Sequence, residues 1–187
     1  MKIIKQSLLL SLVFLILCGF IYPLFINITA NIFFKEKAQG SFVQYNGKEA
    51  GSLLIGQEFK NPKFFHGRIS SVNYSMGTNK NISAKSGGSN LAPSNPILVE
   101  RVSQDIENFM KNNPTVKKED IPADLMTSSG SGLDPHISVE SAIIQADRIS
   151  KENNLSKDVV LGLIDKTKEK NIVNVLKLNL ALLELED

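Results

Sequence analysis

The residues with chemical potential gather in one short stretch. From Asp124 to Ser138 the chain reads Asp-Leu-Met-Thr-Ser-Ser-Gly-Ser-Gly-Leu-Asp-Pro-His-Ile-Ser, hydroxyls and glycines running directly into a helix start. Backbone N–H groups in such a loop, with a helix dipole behind them, have the means to hold an anion. A phosphate-cradling P-loop is excluded, because no Gly-Lys-Ser/Thr follows at the required spacing. Ser129 or Ser131 with His136 has the residue types of a hydrolase, yet the G-x-S-x-G elbow is missing. The chain has 2 histidines, His66 and His136, too few for a convincing triad or metal site. A tight structural loop that docks the following helix is the simpler reading.

Two further stretches have small-residue or charged patterns. Ser86-Gly87-Gly88-Ser89-Asn90 resembles part of the signature loop of ATP-binding-cassette proteins, where small residues let backbone approach a γ-phosphate. Alone, five such residues read as a flexible turn. Asp165-Lys166-Thr167 echoes the phosphorylated loop of P-type pumps, but Lys168 and Glu169 replace the Gly-Thr that should follow. The segment also falls in a predicted exposed helix turn, so that reading is rejected.

The elements that must position these residues are set by hydrophobic period and punctuation. Residues 51–57, Gly-Ser-Leu-Leu-Ile-Gly-Gln, read as a buried strand between glycines. Residues 61–95, rich in Asn, Ser, Gly and Pro, read as a long loop, with 73–90 mobile unless a partner holds it. Asn95 then Pro96 is a cap followed by a first-turn proline, and Ile97, Val102, Ile106, Phe109 and Met110 carry a helix to about Asn112. A second helix is expected from Ser138 to about Glu152, with Val139, Ala142, Ile143, Ala146 and Ile149 on one face. A third starts at the cap Ser156, buries Val159, Val160, Leu163 and Ile164, and ends near Lys170. A short strand near 172–175 and a helix from about Asn179 complete a mixed α/β domain.

Ahead of that domain stands a membrane anchor. No charged side chain occurs between Lys5 and Lys35, and Leu8 to Ile28 is almost continuously apolar. About 20 such residues cross the roughly 30 Å hydrocarbon core as a helix. Lys2 and Lys5 on the short flank place the N-terminus in the cytoplasm, with residues 36–187 on the other side. The run is too long for a cleaved signal peptide and lacks a small-residue cleavage site. Residues 1–35 are therefore read as cytoplasmic tip and anchor, and about 150 residues beyond as one extracytoplasmic domain. Cys18 is the sole cysteine, so no intramolecular disulfide is possible. At about 100° per residue, Ser7, Ser11, Cys18, Tyr22 and Thr29 fall within roughly 60° of one another, a stripe suited to packing on a partner helix rather than lipid. The net charge of +2 and the absence of tryptophan exclude a nucleic-acid binder.

Several of these stretches together resemble the KdpC family. Gly51–Gln57, Ser86-Gly-Gly-Ser-Asn-Leu91 followed by Pro93 and Asn95-Pro96, Pro122-Ala-Asp-Leu125, Thr127–Ser138, Gln145-Ala-Asp-Arg148 and Asn174–Ala181 recur in that order over essentially the whole chain. Arg68-Ile-Ser70 departs from the family's usual Arg-Pro-Ser. The resemblance implies a single-span accessory subunit of a high-affinity potassium-importing ATPase, without catalysis or bound metal of its own. Potassium would pass through a KdpA-type partner and ATP would be hydrolysed by a KdpB-type partner. It further implies a catalytic chaperone that raises the pump's ATP affinity, with Gln145 and the loop of Ser86, Gly87, Gly88 and Ser89 as nucleotide contacts. The orientation of the anchor puts those residues across the membrane from cytoplasmic ATP. A physically simpler role is a clamp on the outer mouth of the potassium-conducting partner. A second reading, of a different class, is a membrane-anchored module that captures a solute or wall component.

Overall fold

An uninterrupted apolar sequence can satisfy its own backbone only as a helix, and residues 2–33 do so. The structure is a computed structural model and describes residues 2–76 and 84–185; the part of the expected mobile stretch at 77–83 lies outside them. Helix α1, Lys2–Phe33, is 32 residues long, and none of its residues is buried by the rest of the chain. It widens into one π turn at Leu17–Ile21, just ahead of Pro23. Phe34 leaves helical geometry at φ −137° and hands over to the short α2, Lys35–Ala38.

Next comes a hairpin that the hydrophobic period did not reveal. Strands β1, Phe42–Tyr45, and β2, Lys48–Ser52, pair antiparallel, with Tyr45 opposite Lys48. The two-residue turn is Asn46-Gly47, at φ 49° and 73°, the left-handed pair that matches strand twist. The strand expected at 51–57 is thereby corrected: β2 ends at Ser52, and Leu54 and Ile55 are 61% and 47% exposed. Ser52 turns the chain, its hydroxyl donating to Gly40 O at 2.6 Å and accepting from the Leu54 N–H at 3.1 Å.

Helix α3, Pro96–Asn112, has the expected bounds, and the Asn95 side chain caps it by accepting from Ile97 N–H at 3.0 Å. The single turn α4, Ala123–Met126, precedes strand β3, His136–Ser138. The second expected helix is in fact two, α5 at Val139–Ile143 and α6 at Ala146–Glu152, broken around Gln145. Helix α7, Lys157–Thr167, begins at its Ser156 cap and ends earlier than Lys170. Strand β4, Ile172–Asn174, pairs antiparallel with β3, Ile137 facing Val173. Asn174 then caps α8, Val175–Leu183, which starts a full turn before Asn179.

The core lies where α5 to α8 meet the small β3–β4 sheet. Ala142, Ala146, Ile149, Val160, Val173 and Leu178 have no exposed surface, and Phe65, Phe109 and Leu125 close the cluster. Two residues of the expected faces miss it: Ile143 and Val159 are 45% and 44% exposed. Ile143 is the last residue of α5, directly ahead of the break.

Candidate functional site

Residues 61–70 run over this core without forming a strand, so their backbone groups need partners from elsewhere. Side chains supply them. Asn179 Oδ1 accepts from the Phe65 N–H at 2.8 Å, and its Nδ2 donates to the Phe65 carbonyl at 3.0 Å. One residue on, Gln145 Oε1 accepts from the His66 N–H at 2.9 Å and Nε2 donates to the His66 carbonyl at 3.2 Å. Asn153 Nδ2 donates to Lys63 O at 2.9 Å. Arg148 Nη1 donates to the carbonyls of Pro62 and Phe64, the latter at 2.9 Å.

Gln145, the first nucleotide candidate, is thus a junction. Its Nε2 also donates to Ser141 O at 3.0 Å, and Arg148 Nη2 donates to its Oε1 at 2.7 Å. Two donors and two acceptor sites are all taken, and the residue is fully buried. The Arg148 guanidinium completes its shell on Asn113 Oδ1 at 3.2 Å. Among the described residues no carboxylate pairs with it, and burial pushes its pKa down to about 10, which keeps it charged at neutral pH. Burial, and then the Arg148 charge, push the His66 imidazole down to about 4. His66, Gly67 and Ile69 form one wall of a shallow groove whose other wall is Asp105, Phe109 and Asn113.

The second nucleotide candidate is likewise committed to the protein. The Gly87 N–H donates to Ser131 O at 2.7 Å, Ser86 Oγ donates to the same carbonyl at 3.1 Å, and the Gly87 carbonyl accepts from Ser71 Oγ at 2.7 Å. The loop of Ser86, Gly87, Gly88 and Ser89 therefore seats on the Ser129–Gly132 loop, joining two sequence motifs into one loop pair. Gly132 makes the approach possible: at φ +69°, a Cβ there would lie 2.5 Å from Val72 and 2.9 Å from Gly87 O. Gln145 has no polar atom left for an ATP phosphate or base, whereas Ser89 at the end of the loop is exposed.

At the helix start, where an anion was the alternative to a structural docking loop, the chain supplies its own carboxylate. Asp124 Oδ2 accepts from the Ser138 N–H at 2.8 Å, and Oδ1 accepts from the hydroxyls of Ser141 at 2.6 Å and Ser138 at 3.2 Å. That carboxylate takes the place at the α5 N-terminus that a phosphate would want. The hydrolase pattern is also dispersed. Ser129 Oγ accepts from Gly132 N–H at 2.8 Å, whereas the backbone of His136 is held by Asp134 and its ring lies near Asn174. His66 is engaged with Asn61 and Gln145 instead. Among the described residues no group of three or more His, Cys, Asp and Glu is placed to hold a metal. Asp165 ion-pairs with Lys168 at the end of α7, and Thr167 Oγ1 donates to Leu163 O at 2.9 Å, an ordinary helix terminus.

Sequence reasoning missed Arg68, Asn113 and Asn179 as organising residues. Arg68 Nη1 meets Asp134 Oδ2 at 2.9 Å and so ties the 61–70 segment to the Asp124–Ser138 stretch. No local pattern singled these residues out: even Gln145 and Arg148, three apart in the expected second helix, stand off its apolar face.

In the anchor, the straight-helix stripe does not survive the π turn. The Tyr22 N–H donates to the Leu17 carbonyl, five residues back. Each such turn inserts one residue and delays all later ones by about 100°. Ser7 and Ser11 keep one face, Cys18 sits within the turn, and Tyr22 and Thr29 swing off it. Thr29 Oγ1 is already satisfied by Phe25 O at 2.8 Å.

A family model described as "KdpC: K+-transporting ATPase, c chain" matches residues 4–184. A potassium-transporting ATPase KdpC subunit of Clostridioides difficile (strain 630) is 43% identical, with 99% of this chain and 98% of the relative covered. Those of Caldanaerobacter subterraneus subsp. tengcongensis and Clostridium perfringens (strain ATCC 13124) are each 46% identical over 97% of this chain.

Gln145→Ala removes four hydrogen bonds and leaves the His66 backbone unpaired in the interior, a loss of about 3–5 kcal/mol. Its expected signature is a large drop in the thermal midpoint of the purified chain; an unchanged midpoint would free the residue for ligand contact. His66 sets a pH dependence. Its folded pKa lies below the unfolded value near 6.5, so the unfolded chain binds the proton first as pH falls. Stability is full above about 6.5 and declines towards 4. Urea midpoints measured across that window should fall in the native chain and flatten in His66→Gln.

Proposed function

Because the chain belongs to the KdpC family, we propose that it is the accessory, non-catalytic subunit of a potassium-importing ATPase, anchored by α1 with its N-terminus in the cytoplasm. In this reading the domain after the anchor stands outside the cell membrane and clamps the outer mouth of a KdpA-type potassium-conducting partner. ATP binding and hydrolysis belong to a KdpB-type partner. The carrying observation is a 32-residue helix with no residue buried by its own chain, joined to a domain that commits its strongest polar groups to its own backbone. Such a molecule is built to be held and to hold, not to turn over a substrate.

The chaperone effect on ATP affinity fits this reading if it travels through the assembly. A subunit that binds one state of a bistable pump more tightly shifts the affinity for every ligand that prefers that state. Contact between nucleotide and Gln145 is not required. Exposed apolar side chains at Leu54, Ile55, Ile97 and Val99 supply surface for a protein partner.

Purification of the tagged chain under native detergent conditions should recover multi-span partners with it. A lone protein would overturn the subunit role for this chain and favour a solute-capturing module. Orientation is read by Asp158→Cys in a Cys18→Ala background, two residues past the Ser156 cap. A membrane-impermeant thiol reagent should label it on intact cells or spheroplasts; labelling only after lysis would place the domain in the cytoplasm.

A further inference from the structure

The π turn in the anchor leaves a backbone acceptor open at mid-membrane. Pro23 has no N–H, and the Tyr22 N–H is engaged by the Leu17 carbonyl. The Cys18 carbonyl thereby loses both its α donor, Tyr22, and its π donor, Pro23. Its neighbour Gly19 loses its α donor to the same proline and keeps only the Leu24 N–H, at π reach. Among the described residues no side-chain hydroxyl or amide makes up the difference: Thr29 bonds to Phe25 O, and Asn31 bonds to Asn27.

The position makes the deficit costly. Cys18 stands midway between Leu8 and Ile28, about 15 Å of helix from either end. Lipid chains offer no donor there, and water is absent from the hydrocarbon core. Approach is open on the same turn. Gly19 carries no side chain, and the one neighbour near the place its Cβ would take is Leu15 at 3.9 Å.

We propose that this open turn is an interface: the free carbonyl of Cys18, beside the bare Gly19, receives a hydrogen-bond donor from a membrane helix of a partner subunit, carried by a hydroxyl, amide or indole side chain. This rests on the subunit reading above. The contact explains why a proline sits inside a span, because the bond it removes is replaced across the interface. It also gives the anchor a fixed depth and rotation, which an all-aliphatic helix in lipid would lack. Ser7 and Ser11 on the first half need not share the face of Tyr22 and Thr29, since the contact centres on the turn between them.

Cys18 is the sole cysteine, so biosynthetic cysteine labelled with carbon-13 at the carbonyl reports on that one group in the full chain. Solid-state NMR of the labelled chain is compared in lipid alone and assembled with unlabelled partner subunits. Pro23→Ala, which restores the missing N–H and closes the turn, supplies the reference for a bonded carbonyl. The native resonance in lipid alone should lie upfield of that reference and move downfield to it in the complex. An unmoved resonance in a complex that does assemble overturns the interface and leaves the subunit role standing. A native resonance already at the reference in lipid overturns it too, and failure to recover any partner overturns both. Gly19→Leu, which blocks approach without touching the backbone bonds, should lower recovery of the complex several-fold, while Leu9→Ala should not.

Discussion

The domain depends on a guanidinium placed where a sheet would ordinarily be. Residues 61–66 carry their N–H and C=O groups over a helical core, and among the described residues no strand pairs with them to complete a ladder. Arg148, Gln145, Asn153 and Asn179 act as the missing strand, their side chains gripping the backbone groups of successive residues. A buried cation without a paired carboxylate is costly. Here the cost is offset by four acceptors arranged around the fixed fork of an arginine, a geometry lysine cannot supply. The network is all-or-none in character, because each member satisfies groups that would otherwise be buried and unpaired.

The loops beyond residue 66 inherit their position from that segment. Arg68 bridges to Asp134, Ser70 Oγ donates to Gly132 O at 2.6 Å, and Ser129 N–H donates to Ile69 O at 3.0 Å. The described parts of the glycine- and serine-rich loops are therefore held by specific contacts to one another. Asn73, Tyr74 and Ser75 even hold left-handed geometry in succession, anchored by the Tyr74 N–H on Ser70 Oγ at 2.8 Å. Such a run is unfavourable for L-residues and persists only where the surroundings over-determine it.

The anchor and the domain solve opposite problems. The domain buries charge and amide groups and satisfies them from within. The anchor has no residue buried by its own chain and leaves the Cys18 carbonyl without an α or π donor at its centre. A division of that kind suits a small subunit of a larger membrane assembly, in which the soluble part must fold before it meets its partners and the span is completed by them.

Composition and period alone determined the parts of this protein governed by local rules. The uncharged run from Leu8 to Ile28 has one stable form in lipid, and Asn95-Pro96 and Ser156 are caps whose side chains act within two or three residues. The Asn46-Gly47 turn is a local signal of the same kind, but the hydrophobic period of its flanks did not reveal the hairpin. The order of motifs was enough to identify the family. Tertiary structure decided what the motifs are for. Whether Gln145 faces a ligand or a backbone depends on residues 79 positions away in the chain, and whether the helix start at Ser138 holds an anion depends on Asp124 reaching it first. The polar side chain of Gln145 at the break between α5 and α6 belongs to the same class. Each is set by which distant backbone group a buried polar side chain must satisfy, and no local pattern encodes that.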